Sequence, residues 1–126
     1  MIKGIGTDIL EIEKLRPILA QPDYCNDSFI RKTYTPAEIA LAESRPVPLY
    51  CYATRFAGKE AVFKALTVSG EDIRLNEIEI LSEENGKPYV TLHGLAKKLA
   101  AKADIHTVHI SLSYEDNYAV AYAVAE

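Results

Sequence analysis

Charged residues in the middle of the chain are the first candidates for chemistry. Residues 50–66 predict one helix, because their apolar side chains recur at three- and four-residue steps. Glu60 and Lys64 lie one turn apart, and on a solvated helix such a pair contributes only about 0.2–0.5 kcal/mol. Within a mostly apolar helix, charges must reach an edge or meet partners. Arg55, Lys59, Glu60 and Lys64 are therefore candidate site residues, with a solvated helix face as the alternative.

A second carboxylate lies near the amino terminus. Residues 2–9 alternate as in a short strand, which would place Asp8 at the end of that strand. Asp8 followed by Glu11 also matches a capping box, so helix capping is one interpretation. Mg²⁺, however, is often held by only one or two carboxylates, with phosphate oxygens and waters as its other ligands. Asp8 and Glu60 are therefore candidate metal ligands.

Four short segments occur in an informative order along the chain. They are GIGTDI at residues 4–9, RFAGKEA at residues 55–61 with Lys64 following, NGKP at residues 85–88 and VHISLS at residues 108–113. Together they resemble the 4'-phosphopantetheinyl transferases, and among these the small holo-acyl-carrier-protein synthase group. Each motif alone is weak, whereas all four in this order form a specific signature that covers nearly the whole chain.

This resemblance implies a reaction and a set of catalytic residues. Members of the family move the phosphopantetheine arm of coenzyme A onto a serine of an apo acyl carrier protein and release adenosine 3',5'-bisphosphate. The resemblance implies Mg²⁺, with Mn²⁺ as the alternative, at Asp8 and Glu60, and a contact between Lys64 and the phosphates. Asp8, Glu60 and Lys64 are thus the expected catalytic residues. Glu60 and a metal-bound water both remain candidates for the general base.

The resemblance also implies contacts with coenzyme A as co-substrate. Arg55 would bind the 3'-phosphate, because a planar guanidinium suits phosphate, and the alternative partner is a nearby loop carbonyl. Tyr114 stands where many relatives carry histidine, and unlike histidine it cannot become a cation at neutral pH. The expected coenzyme A residues are Arg45, Arg55, Lys64, Ser69, Gly70, Pro88 and Tyr114.

Two basic residues follow the first strand. Lys14 and Arg16 lie on a predicted helix that begins at residue 11 and is interrupted by Pro17. A solvated face is one interpretation, and the resemblance implies another, a docking surface for the acidic carrier protein. It further implies a homotrimer with coenzyme A sites between subunits.

Composition limits the remaining classes. The chain has 126 residues, 48% hydrophobic and 25% charged, which predicts one globular domain over residues 1–126. A net charge of −4 argues against broad nucleic-acid binding, which requires a basic face. We see no apolar run of the ~20 residues that a membrane span needs and no signal segment, so a cytoplasmic protein is expected.

The remaining patterns predict an α+β fold, a mostly antiparallel sheet packed against helices with one long central helix. A capping box formed by Thr35 and Glu38 begins one helix, and Asn85-Gly86 predicts a tight hairpin turn with positive φ at both residues. Further helices are expected after residue 27, at 36–44 and at 94–103, and strands at 76–81, 88–93, 106–114 and 118–124.

Two other functions are compatible with these residues. The chain could be a non-catalytic module that binds coenzyme A or a carrier protein, because the usual histidine and the Gly-Thr-Gly turn near residue 69 are altered. It could also be a Mg²⁺-dependent nucleotide pyrophosphatase that uses the same carboxylates. Coenzyme A binding without turnover would identify the first, and coenzyme A cleavage without a carrier would identify the second.

Overall fold

A computed structural model describes residues 1–67 and 72–126. Single turns of 3₁₀ helix lie at Ile12–Lys14, Tyr24–Asn26 and Leu75–Glu77. In chain order, the helices and strands are β1 (Gly4–Glu11), α1 (Arg16–Leu19), α2 (Ser28–Thr33), α3 (Pro36–Glu43), α4 (Pro48–Ala65), β2 (Ile78–Ser82), β3 (Pro88–Leu92), α5 (Gly94–Lys102), β4 (Val108–Tyr114) and β5 (Tyr118–Ala125).

The strands form two antiparallel sheets. One has the order β1-β5-β4, and the other is the hairpin β2-β3. The long helix α4 packs on β1, β5 and β4 and also contacts β2, so it lies at the centre of the fold. The predicted α+β class with a long central helix is therefore confirmed. None of the helices within residues 1–67 and 72–126 has the length and apolar character of a membrane span.

Strand β1 lies unusually close to α4. A Cβ atom on Gly4 would come within 2.0 Å of the Ala65 carbonyl oxygen, and one on Gly6 within 1.9 Å of the Ala61 carbonyl oxygen. Both alanines are fully buried. Only glycine lets the strand backbone rest directly on the helix backbone at these points. This close approach carries Asp8, two residues after Gly6 on the same face of β1, to the surface of α4.

Local structure around Asp8 differs from the sequence-based expectation. The strand pairing with β5 continues as far as Glu11 opposite Tyr118, so Asp8 lies inside β1 and not at its end. The proposed capping box of Asp8 and Glu11 is wrong, because both residues are in the strand and Glu11 makes no side-chain cap to the following 3₁₀ turn. The helix expected from residue 11, with an interruption at Pro17, is instead this 3₁₀ turn followed by α1, and Pro17 lies in the first turn of α1.

Of two local predictions, a helix capping box and a hairpin turn, one is confirmed and the other is wrong in detail. The capping box at the start of α3 is confirmed, since the Thr35 hydroxyl accepts from the Glu38 amide and the Glu38 carboxylate accepts from the Thr35 amide. The prediction for the β2-β3 turn was wrong in detail, because Gly86 has a positive φ of 89° but Asn85 does not. The Gly86 amide donates to the Glu83 carbonyl, giving a longer loop in which the Asn85 side chain accepts from the Lys87 amide.

A buried ion pair joins α3, α4 and β2. The Lys59 ammonium is fully buried and donates to Glu38 Oε1 at 2.7 Å, to the Ile78 carbonyl at 2.6 Å and to the Leu75 carbonyl at 3.0 Å. Glu38 also accepts from the Ile80 amide at 2.8 Å. Burial lowers the pKa of Lys59, while the nearby Glu38 carboxylate opposes this shift. Lys59 is therefore a structural residue of the core.

Replacing Lys59 with methionine should destabilise the protein strongly. The variant leaves Glu38 as an unpaired buried charge, which typically lowers the free energy of unfolding by about 3–5 kcal/mol. Urea unfolding followed by circular dichroism would measure the change. Lys98→Met, at an exposed lysine of α5, is the matched control and should change stability by less than about 0.5 kcal/mol. Equal stability of the two variants would contradict a stabilising role for the pair.

Candidate functional site

Asp8, Glu60 and Lys64 come together where β1 crosses the second half of α4. Lys64 Nζ donates to the Thr7 carbonyl at 2.9 Å and lies 3.4 Å from Asp8 Oδ1. Glu60 is half-buried one turn before Lys64 on α4. Burial raises the pKa of Glu60, the charge of Asp8 raises it further, and Lys64 opposes both effects. The three predicted catalytic residues thus form one electrostatically coupled cluster.

This cluster has the chemistry of a site for a hard cation. Two carboxylates lie near one lysine, so their negative charge is incompletely balanced. Burial is the main cause of the raised pKa of Glu60, and repulsion from Asp8 adds to it. In the part of the chain that the structure describes, no group of three or more His, Cys, Asp or Glu side chains could hold a metal ion. Mg²⁺ needs only one or two carboxylates when phosphate and water complete its shell, so Asp8 and Glu60 fit this ion.

A separate cavity of about 510 Å³ contains most of the other predicted contacts. Arg45, Arg55, Pro88 and Tyr114 all line it, between the start of α4, the β2-β3 loop and the end of β4. Two guanidinium groups in one cavity create a positive potential, which attracts anions such as phosphate. The structure therefore groups four residues that are far apart in sequence.

Arg55 is held in place by the hairpin. Its Nη2 donates to the Ser82 hydroxyl at 2.6 Å, and its Nε lies 3.4 Å from the Ile80 carbonyl. Burial lowers the pKa of Arg55, and the charge of Arg45 acts in the same direction. The carbonyl that Arg55 contacts thus belongs to strand β2 and not to a loop, and the contact leaves Arg55 in the cavity lining. A fixed guanidinium loses little conformational freedom when it binds an anion.

The carboxylate cluster and the cavity are separate on one chain. Asp8, Glu60 and Lys64 are absent from the cavity lining. Arg55 and Glu60 are five residues apart on α4, which places them about 140° apart around the helix axis. The carboxylate cluster and the cavity, here called the two half-sites, therefore lie on different sides of α4 in one chain.

The remaining residues expected to contact coenzyme A or the carrier protein are Ser69, Gly70, Lys14 and Arg16. Ser69 and Gly70 fall outside the described residues. Lys14 is exposed in the 3₁₀ turn after β1, and Arg16 is exposed at the start of α1. The Arg16 guanidinium pairs with Glu13 at 2.9 Å, a surface contact of small energetic value.

Sequence analysis missed two residues that support the cavity. Ser82 anchors Arg55, and the Tyr50 ring stacks on the Tyr114 ring with centroids 4.6 Å apart and planes 17° apart. Both contacts join residues distant in sequence, so no local spacing indicated them. The only available signal was the position of Tyr50, five residues before Arg55 at the start of the central helix.

Comparisons with known proteins show the family to which the chain belongs. A family model described as "4'-phosphopantetheinyl transferase superfamily" matches residues 4–123. The holo-[acyl-carrier-protein] synthase of Halothermothrix orenii is 36% identical over 126 residues, covering 100% of this chain and 98% of the relative. The crystal structure of a holo-ACP synthase from Plasmodium yoelii superposes with a TM-score of 0.82 at 35% identity, covering 99% of this chain and 94% of that one.

A third comparison includes a bound ligand. The holo-[acyl-carrier-protein] synthase of Helicobacter pylori, crystallised in complex with coenzyme A, has a TM-score of 0.79 at 27% identity and covers 97% of this chain and 99% of that one. The chain belongs to the 4'-phosphopantetheinyl transferase superfamily.

The raised pKa of Glu60 predicts a pH-dependent stability. Because folding favours protonated Glu60, its ionisation lowers stability as the pH rises from the ordinary glutamate pKa, about 4.3, through the raised value. In EDTA, Glu60→Gln should therefore melt at a higher temperature than the wild type at pH 7, and the difference should vanish near pH 4. Calorimetry at both pH values tests this.

Glu11→Gln, at an exposed carboxylate of β1, is the control. Its difference in melting temperature from the wild type should not shrink between pH 7 and pH 4 in this way. A difference for Glu60→Gln that stays constant from pH 4 to pH 7 would contradict the proposed electrostatic cause.

Proposed function

We propose that the protein transfers the 4'-phosphopantetheine arm of coenzyme A to a serine of an apo acyl carrier protein, and so acts in fatty acid biosynthesis. The products are the holo carrier protein and adenosine 3',5'-bisphosphate. The observation that carries the proposal is the meeting of Asp8, Glu60 and Lys64 at the crossing of β1 and α4. The full-length similarity to holo-[acyl-carrier-protein] synthases supports it.

The reaction is a phosphoryl-type displacement in which charge must be neutralised and the nucleophile placed in line. The serine oxygen attacks the phosphorus that carries the pantetheine arm, and the bond from this phosphorus to the bridging oxygen breaks. Lys64 provides a positive charge near the leaving phosphate. Glu60 is one candidate to accept the serine proton, and a water held by the metal would be the other.

Asp8 and Glu60 are proposed to hold Mg²⁺, with Mn²⁺ as the alternative. When bound there, the ion would neutralise charge on the pyrophosphate oxygens. The incompletely balanced pair of carboxylates supports this role, because a divalent cation removes their mutual repulsion.

The cavity is proposed to bind the nucleotide end of coenzyme A. Arg55, fixed by Ser82, would contact the 3'-phosphate, and Arg45 would add positive charge nearby. Pro88 and Tyr114 add apolar surface to the lining of this cavity. Lys64 would contact the pyrophosphate at the other half-site.

A homotrimer with shared sites would unite these two half-sites. The face of the β1-β5-β4 sheet turned away from α4 exposes large apolar side chains, with Ile5 at 70%, Ile9 at 65% and Tyr122 at 62%. Such an apolar patch on a small protein is typical of an association surface. Packing of copies on this face would allow the carboxylate cluster of one subunit to approach the cavity of a neighbour.

The remaining parts of the proposal concern partners and location. Lys14 and Arg16 are proposed as the docking surface for the acidic carrier protein, since both are exposed in an otherwise net-negative chain. We further propose a single domain over residues 1–126, a cytoplasmic location, and no binding to nucleic acid or membranes.

Intact-mass analysis would test the function directly. An apo acyl carrier protein incubated with the protein, coenzyme A and Mg²⁺ should gain the mass of one phosphopantetheine arm. EDTA, or a carrier that lacks the acceptor serine, should abolish the gain. Asp8→Asn and Glu60→Gln should each lower kcat/KM by at least about 100-fold, and Lys64→Ala by about 10- to 100-fold.

Lys98→Ala is the matched control for Lys64 and should leave the rate unchanged. Coenzyme A binding without any mass gain would favour a binding module, and cleavage of coenzyme A without a carrier would favour a pyrophosphatase. Normal transfer by Glu60→Gln would refute the proposed site.

Subunit mixing would test the shared site. Asp8→Ala trimers and Arg45→Ala/Arg55→Ala trimers should each be nearly inactive at low coenzyme A concentration. Co-refolding them in equal amounts should restore about one quarter of the wild-type sites, because some sites then combine two intact halves. Activity of the mixture equal to the average of the two variants would show that each site lies within one subunit.

A further inference from the structure

The stacked rings of Tyr50 and Tyr114, here called the tyrosine wall, form one side of the arginine cavity. The centroids are 4.6 Å apart and the ring planes are within 17° of parallel. Both residues line the cavity that contains Arg45 and Arg55. Tyr50 has no role in the proposed reaction, although it lies on α4 just over one turn before Arg55.

Tyr114 would have little support without this stack. It is the last residue of β4 and is 54% exposed. An exposed aromatic side chain at the end of a strand has several rotamers available, and fixing one of them costs conformational entropy. Tyr50 is half-buried in the first turns of α4 and packs against one face of the Tyr114 ring. The stack therefore fixes Tyr114 relative to the helix that carries Arg55.

The charges on the two sides of the tyrosine wall differ in sign. On one side lie Arg45 and Arg55. On the other side a second hollow is lined by Glu115 and Asp116 of the β4-β5 turn together with the same two tyrosines. Anions are attracted to the arginine side and repelled from the acidic turn. The arginine-lined cavity beside the two tyrosines therefore favours an anionic ligand, and the hollow at the acidic turn does not.

We infer that Tyr50 is a positioning residue for the nucleotide end of coenzyme A, acting through Tyr114. This inference rests on the proposed function, since it assigns the cavity to that substrate. Tyr50 orders the Tyr114 ring before the ligand binds, so the entropy of fixing the ring is not lost from the binding free energy. A tyrosine ring cannot carry a positive charge, so the wall supplies aromatic surface while Arg45 and Arg55 supply the charge.

Calorimetric titration with adenosine 3',5'-bisphosphate tests the inference without requiring turnover. Tyr50→Ala should weaken binding of this probe by about two- to tenfold, the range expected for loss of one aromatic pair. Tyr50→Phe keeps the ring and should bind as the wild type does. Tyr89→Ala, at an exposed tyrosine of β3 outside this cavity, is the matched control and should also bind normally.

A double-mutant cycle separates positioning from a direct contact or a general loss of stability. If Tyr50 acts through Tyr114, Tyr50→Ala should have no further effect in a Tyr114→Ala background. In the transfer assay the single variant should raise the KM for coenzyme A and leave kcat and the KM for the carrier unchanged. If Tyr50→Ala does not fold, Tyr50→Leu, which keeps apolar volume but not the aromatic plane, takes its place with the same expectations.

The outcomes distinguish the inference from the proposed function. Unchanged affinity of the Tyr50 variant, or additive losses in the double variant, would overturn the inference while leaving transfer intact. A wild type that binds the probe but transfers nothing would refute the proposed function, and the cycle would still decide the role of Tyr50. A wild type that does not bind the probe at all would overturn both.

Discussion

The direct packing of the β1 backbone on the α4 backbone is the contact on which the site depends. Gly4 and Gly6 leave no room for a side chain against the carbonyl oxygens of Ala65 and Ala61. The small residues on both elements bring their backbones together, and the strand register with β5 then fixes how far Asp8 extends along the helix. A rigid strand and a rigid helix are better supports for catalytic groups than loops are, because little ordering is needed when substrate binds.

The same contact creates an electrostatic cost. Burial on α4 raises the pKa of Glu60, and the charge of Asp8 raises it further, while Lys64 offsets part of the effect. The charges of the buried pair Lys59 and Glu38 are balanced, in contrast, and each of their polar side-chain atoms has a hydrogen-bond partner. Adjacent residues of one helix thus differ: Lys59 is paired in the core, whereas Glu60 is the proposed catalytic group. Like charges placed close together are typical of sites that bind a cation or move a proton.

The part of the structure that could be predicted from sequence is the part encoded locally. Helical spacing predicted α4, and the Thr35 capping box predicted the start of α3. The approach of Asp8 to Glu60 was expected only from the family resemblance, since no local rule joins residues 52 positions apart. The interpretation of Asp8 as a strand end or cap failed because pairing with β5 extends the strand past it. The contacts of Tyr50 and Ser82 depend on tertiary packing, and the position of Tyr50 ahead of Arg55 on α4 gave only a weak indication of them.

The crossing of β1 and α4 is proposed to form a divalent-cation site at Asp8 and Glu60. Paramagnetic broadening by Mn²⁺ in ¹⁵N-resolved NMR spectra tests it most directly, because broadening falls steeply with distance from the ion. We predict that substoichiometric Mn²⁺ broadens the amide signals of residues 7–9 and 59–61 first, that excess Mg²⁺ reverses the effect, and that Asp8→Asn removes it. Selective broadening elsewhere, or none at these residues, would contradict the account.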